Sequence, residues 1–151
     1  MRSDAEVLAG IDEAFGDCPK PEHFTNFEHC SECAEHDELL RGRDRTTLTI
    51  EDVGNPGWDP ICFCSFEGLA YYMPALARLA LAEPAEDRGW YGGQLVFHLW
   101  SGGEYNHFYD GCTDQQRHAV AVLLLQFIET RAALAEIEAD AMLQAHARWS
   151  L

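Results

Sequence analysis

The residues best suited to chemistry are the histidines and cysteines of the segment 29–36, which reads HCSECAEH. On a helix, His29, Cys33 and His36 share one face, and Cys30 lies beside them, because residues three and four apart are neighbours. Imidazole and thiolate are the ligands that zinc prefers, and C-x2-C is a common half-site. The segment therefore predicts one half of a zinc site.

A second pair of thiols, Cys62 and Cys64, lies in the apolar run that follows the turn residues 55–60. We expect this run to be extended, and residues two apart on a strand point the same way. The sequence then predicts a four-ligand zinc site that joins Cys30 and Cys33 to this pair, with His29 or His36 able to replace one sulfur. The alternative is that all four cysteines are buried as small apolar side chains.

A cysteine nucleophile is a further possibility at the same segment. Cys30 lies near a predicted helix N-terminus, which favours the thiolate, and His29 or His36 could act as the base. The neighbouring glutamates oppose a thiolate, and no oxyanion hole is recognisable. Six cysteines in a chain that we expect to be cytoplasmic should be reduced, so a disulfide framework is not expected.

Other polar residues form weaker patterns. Glu104, His107, Asp110 and His118 could provide acid–base or metal-binding groups near the last helix, although such residues more often cap and orient a loop. His98, within an apolar run, is most simply a buried histidine with a hydrogen-bond partner. Phosphate-binding loops, nucleophile elbows, H-E-x-x-H and dinucleotide motifs are absent from the sequence.

Charge excludes several classes of partner. Twenty-six acidic and ten basic residues give a formal net charge of -16, which repels nucleic acids and anionic membranes and attracts basic proteins and metal cations. The alternative is an acidic surface that only keeps the protein soluble. No apolar run approaches the ~20 residues that span a bilayer, and the amphipathic start of the chain favours a helix over a signal peptide. We therefore expect a cytoplasmic protein.

Hydrophobic periodicity predicts an all-α fold, a single compact domain over residues 1–151 with five or six helices. Capping boxes begin at Ser3 and Thr113, and Ser65 can cap the most amphipathic helix, in which Pro74 should produce a kink or a break. The predicted helices cover residues 4–15, 30–41, 66–81, 94–100 and 113–149, with one short helical turn at 49–52 and a loop at 101–112.

The last of these helices would be long. An unbroken helix over 113–149 would measure roughly 50 Å, more than the width of a domain of this size. We therefore expect residues 131–151 to project as a helical extension and to form a homodimer through its apolar positions, among them Leu134, Ile137 and Met142. The alternative is a frayed, alanine-rich tail.

Three stretches, HCSECAEHDELL, GNPGWDPICF and GLAYYMPALARLAL, resemble a family of short bacterial proteins classed as a domain of unknown function. The resemblance covers about residues 20–82. It implies that the segment 29–36 belongs with the segment 54–81, and it implies no activity, so no catalytic residue is carried over.

Two functions of different classes fit these observations. The first is a small acidic interaction or regulatory protein, inhibitor-like or immunity-like, that binds a basic partner. The second is a metal-dependent or thiol-dependent enzyme that uses the histidines and cysteines of residues 29–36.

Overall fold

The computed structural model describes residues 1–84, 86–135 and 138–151 and has the predicted all-α fold. Eight α-helices are formed by these residues, more than the five or six expected, because short turns are also helical. They are α1 (Asp4–Phe15), α2 (Ser31–Arg41), α3 (Ile50–Val53), α4 (Phe66–Leu81), α5 (Gly92–Trp100), α6 (His107–Gly111), α7 (Asp114–Thr130) and α8 (Ala139–Trp149). Helix α6 lies inside the segment predicted as a loop.

The helix starts follow the capping residues of the sequence. The Ser3 and Ser65 hydroxyls accept hydrogen bonds from backbone N–H groups of the first turns of α1 and α4. Thr113 and Gln116 form a reciprocal capping box at α7. Each cap satisfies N–H groups that have no partner inside the helix, which fixes where the helix begins.

Helix α4 is the centre of the core and contacts α1, α5 and α6. Its apolar stripe is buried, with Tyr72, Met73 and Leu76 fully inaccessible to solvent. Pro74 does not break the helix, which continues from Phe66 to Leu81. Packing on several sides compensates for the backbone hydrogen bond that proline removes.

The C-terminal region corrects the prediction of one long projecting helix. Helix α7 ends at Thr130, a short 3₁₀ turn follows at Ala132–Leu134, and α8 packs back against α7 and α5. Met142, Ala145 and Trp149 form the buried face of α8, so this apolar stripe is covered by the chain itself. Ile137, another of the apolar positions named for the dimer, lies outside the described residues. A homodimer through this region stays a prediction, without the argument from helix length.

A long loop between α1 and α2 is fastened at several points. The Arg45 guanidinium donates hydrogen bonds to the backbone carbonyls of Phe15, Gly16, Cys18 and Tyr71 at 2.6–3.1 Å. These bonds join the end of α1 to α4 and fix the start of the loop that leads to α2.

None of the helices in the described parts of the chain has the length and apolar character needed to cross a membrane.

Candidate metal centre

Helix α2 begins with a cysteine cap. Cys30 is the N-cap residue, with extended backbone, and its Sγ accepts a hydrogen bond from the Cys33 backbone N–H at 3.4 Å. This cap places the Cys30 side chain over the first turn of the helix, next to the side chain of Cys33. The C-x2-C spacing therefore brings both sulfurs together through local geometry alone.

Three ligand atoms meet at this corner. The Sγ atoms of Cys30 and Cys33 lie 3.3 Å apart, and the Cys33 Sγ lies 3.8 Å from His29 Nδ1. All three ligand atoms lie within 4.8 Å of one another. Zn–S bonds of about 2.3 Å in a tetrahedral site place two sulfurs about 3.8 Å apart. The group is thus able to hold a metal ion with small side-chain adjustments.

The two thiols differ in exposure and acidity. Cys30 is exposed, and the pKa of its thiol is lowered to about 7 by the hydrogen bond from the Cys33 backbone N–H and by those of the His29 and Cys33 side chains. Cys33 is buried, and its pKa is raised by the hydrogen bond to Cys30 and by burial. Because the thiolate is the form that binds metals, the exposed member of the pair is the better first ligand.

His36 lies on the predicted face of α2 but does not join the three ligands. It is 1% exposed, and its Nε2 lies 3.3 Å from a carboxylate oxygen of Glu32. The Phe63 ring stacks on the imidazole at a centroid distance of 5.0 Å, and the Trp58 ring lies at 4.6 Å. Two half-exposed aromatic side chains therefore cover the histidine that the sequence offered as a ligand.

Cys62 and Cys64 are also absent from this group, which corrects the predicted four-cysteine site. Their segment is not extended, because Pro60–Phe63 forms a 3₁₀ turn that the Asp59 side chain caps through the Ile61 N–H. Cys64 is buried, and burial raises the pKa of its thiol. The turn still packs against α2, so the two segments are neighbours even though their thiols do not form one site.

Cys62 instead lies near Asp59 and His98, in a second group whose ligand atoms are within 4.8 Å of one another. The Asp59 carboxylate already accepts hydrogen bonds from Gln94 Nε2 at 2.9 Å and from the Ile61 N–H, and it pairs with His98 Nε2 at 2.9 Å. Partial burial of the sulfur, followed by the Asp59 charge, raises the pKa of Cys62 to about 11. With three hydrogen-bonding partners already on the Asp59 carboxylate and a raised pKa at the Cys62 thiol, this group is better suited to fixing the turn on α5 than to binding a metal.

Glu104, His107, Asp110 and His118 are exposed and do not form a metal-ligand group within the described residues. His98 has the role expected from its apolar surroundings, as a buried histidine with a carboxylate partner.

Sequence reasoning missed Asp37 as the residue that positions the site. Its buried carboxylate accepts hydrogen bonds from the backbone N–H groups of Phe24 and Thr25, at 2.6 and 3.2 Å, and lies 2.7 Å from His23 Nδ1. These contacts attach the loop before His29 to α2. The available signal was the position of Asp37 on the same helix face as Cys33 and Leu40, because a carboxylate on an inward face requires hydrogen-bond donors.

Comparisons of the chain with protein-family models, with curated proteins and with solved structures find no match. The resemblance of residues 20–82 to a bacterial family therefore stays a prediction.

Proposed function

We propose that the protein binds a zinc ion through His29, Cys30 and Cys33. The observation that carries the proposal is the separation of the three donor atoms, all within 4.8 Å of one another and close to the edges of a tetrahedral zinc site. Thiolate and imidazole together favour zinc over magnesium or calcium, which prefer oxygen ligands.

Three protein ligands leave one coordination position for water or for a group from another molecule. This pattern is typical of zinc sites that act on a bound ligand, whereas structural sites are closed by four protein ligands. The exposed positions of His29 and Cys30 leave the site open to solvent. The proposal thus favours a reactive or partner-binding zinc over the closed, structural zinc that four cysteines would form.

Metal analysis of the purified, untagged chain tests this proposal, together with spectra of the cobalt-substituted protein, in which thiolate ligands give charge-transfer bands. We expect one zinc per chain, and a loss of affinity of more than about hundredfold in Cys30→Ser or Cys33→Ser. Cys62→Ser is the matched control, since Cys62 is also exposed and lies outside the group. Absence of bound zinc, or equal losses in all three variants, would refute the proposal.

A second function, binding of a basic protein partner, is favoured by how the basic side chains are used. Most of them donate to backbone carbonyls or lie on an aromatic ring. Within the described residues, arginine–carboxylate ion pairs join Arg43 to Asp52 and Arg131 to Asp4. The basic residues engaged in these internal contacts are Lys20, Arg43, Arg45, Arg78, Arg117, Arg131 and Arg148.

Because most of these cations contact carbonyl groups, few carboxylates of the described residues have an arginine partner, and the net charge of -16, which already counts the cations, leaves the surface strongly acidic. Such a field accelerates association with a basic surface and makes it sensitive to salt. An inhibitor-like or immunity-like role fits this behaviour. Affinity purification from the native host at low ionic strength should recover a basic protein that is released by salt, and recovery of no such protein would contradict this second proposal.

A further inference from the structure

We propose that Cys30 and Cys33 also form a reversible dithiol–disulfide couple that reacts with positively charged disulfides. The two sulfurs lie 3.3 Å apart, and they sit at the first turn of α2, three residues apart. The inference goes beyond zinc binding, because sulfurs joined in a disulfide cannot both act as thiolate ligands. Formation of the disulfide needs no metal.

The geometry needs little change to close the bond. A disulfide places the sulfurs about 2.05 Å apart, so the observed 3.3 Å separation has to shorten by about 1.3 Å. Cys30 occupies the N-cap position, where its backbone is extended rather than helical. Its side chain can therefore rotate toward Cys33 without breaking the hydrogen bonds of the helix interior.

The unequal exposure of the two cysteines gives each a separate role. Cys30 is exposed, so a disulfide substrate can reach its sulfur, while Cys33 is only 6% exposed and is shielded from such attack. Cys30 is thus placed to act as the attacking cysteine and Cys33 as the resolving cysteine.

The exchange balances with a disulfide R–S–S–R as the oxidant. The Cys30 sulfur loses its proton and attacks one substrate sulfur, the S–S bond breaks, and the departing sulfur takes up a proton to leave as R–SH. The Cys33 sulfur then loses its proton and attacks the Cys30 sulfur, so that the Cys30–S–R bond breaks and the second R–SH leaves. The dithiol loses two electrons, and the substrate gains them.

Charge around the pair selects the substrate. Glu28 lies two residues before Cys30, Glu32 lies between the two cysteines, and Glu35 lies two residues after Cys33. These carboxylates raise the local concentration of a cationic disulfide and lower that of an anionic one. A basic protein or peptide disulfide is therefore the class of substrate that fits.

Two small disulfides of opposite charge test this selection on the metal-free chain in the presence of a chelator. Cystamine carries two ammonium groups, and oxidised glutathione carries a net negative charge. We expect the chain to lose the mass of two hydrogen atoms, with a Cys30–Cys33 link in its peptide map. The rate of each probe with the chain is divided by its rate with a free thiol, which corrects for intrinsic reactivity. At low salt this corrected rate should be about tenfold higher for cystamine than for glutathione disulfide, and added salt should reduce the ratio.

Single-cysteine variants separate the two roles. Cys33→Ser should trap half of cystamine as a stable adduct on residue 30, Cys30→Ser should form no intramolecular link, and Cys62→Ser should react like the parent chain. A stable adduct on Cys30 of the parent chain, a link that requires Cys62, or a corrected rate that is equal for the two probes would overturn the proposal. Because the chelator removes zinc, failure here is distinguishable from failure of the metal-binding proposal.

Discussion

Replacing Asp37 by asparagine tests how the loop before the metal-ligand group is held. The Asp37 carboxylate is 4% exposed at the side chain, and it accepts hydrogen bonds from the Phe24 and Thr25 amides and contacts His23 Nδ1 at 2.7 Å. Asparagine keeps one acceptor oxygen but replaces the other by an amino group that cannot accept a hydrogen bond. The variant thus loses one contact and weakens the others.

The size of the effect follows from these contacts. Hydrogen bonds to charged groups contribute about 1.5–3 kcal/mol each, and neutral ones about half of that. Loss of the His23 contact and weakening of two amide bonds should lower the free energy of unfolding by about 2–4 kcal/mol. The affinity for zinc should also fall, by about tenfold, because His29 follows directly from this loop.

The effect should depend on pH in a defined direction. Burial acts to raise the pKa of Asp37, but the hydrogen bonds from His23, Phe24 and Thr25 outweigh it and hold the pKa below 3.8. A carboxylate with a lowered pKa in the folded state contributes stability that is complete above its unfolded pKa. That stability is lost as the pH falls through the folded-state pKa. The difference between the parent chain and Asp37→Asn should therefore shrink below pH 3.8.

Urea unfolding at neutral pH and at several acidic pH values measures both quantities. Asp17→Asn is the matched control, since this carboxylate lies at the surface and its loss should change stability by no more than about 0.5 kcal/mol. If Asp37→Asn were as stable as the control at neutral pH, or if its deficit grew on acidification, the role assigned to Asp37 would be wrong.

Two further predictions concern the core. Trp149 is buried and donates its indole N–H to the Leu99 carbonyl at 2.9 Å, so Trp149→Ala should lower the free energy of unfolding by about 3–5 kcal/mol. Leu143→Ala, on the exposed side of α8, is the control and should change the free energy of unfolding by only about 0.5 kcal/mol. If thermal or urea unfolding showed the same loss of stability in both variants, α8 would not pack as described. Tyr72→Phe should lower the free energy of unfolding by about 1–2 kcal/mol, because the Leu40 carbonyl loses the 2.6 Å hydrogen bond from the Tyr72 hydroxyl. Unchanged stability in urea unfolding would show that this bond contributes nothing.

The sequence by itself determined the features that depend on neighbours along the chain. The all-α class, the caps at Ser3, Ser65 and Thr113, and the approach of Cys30 to Cys33 all follow from contacts within about four residues. Helical periodicity and cap chemistry are local properties. They can be predicted without knowing where the distant segments of the chain lie.

Only the tertiary structure decided which distant segments meet. The apolar stripe of α8 fits a projecting dimer helix equally well until Trp149 is seen to bond to Leu99. Cys62 and Cys64 lie outside the metal-ligand group because their segment forms a 3₁₀ turn that Asp59 caps. Asp59 is in turn held by His98, which lies 39 residues further along the chain. Whether a side chain binds a metal or fills a core depends on what covers it, and that is set by contacts whose partners lie far apart along the chain.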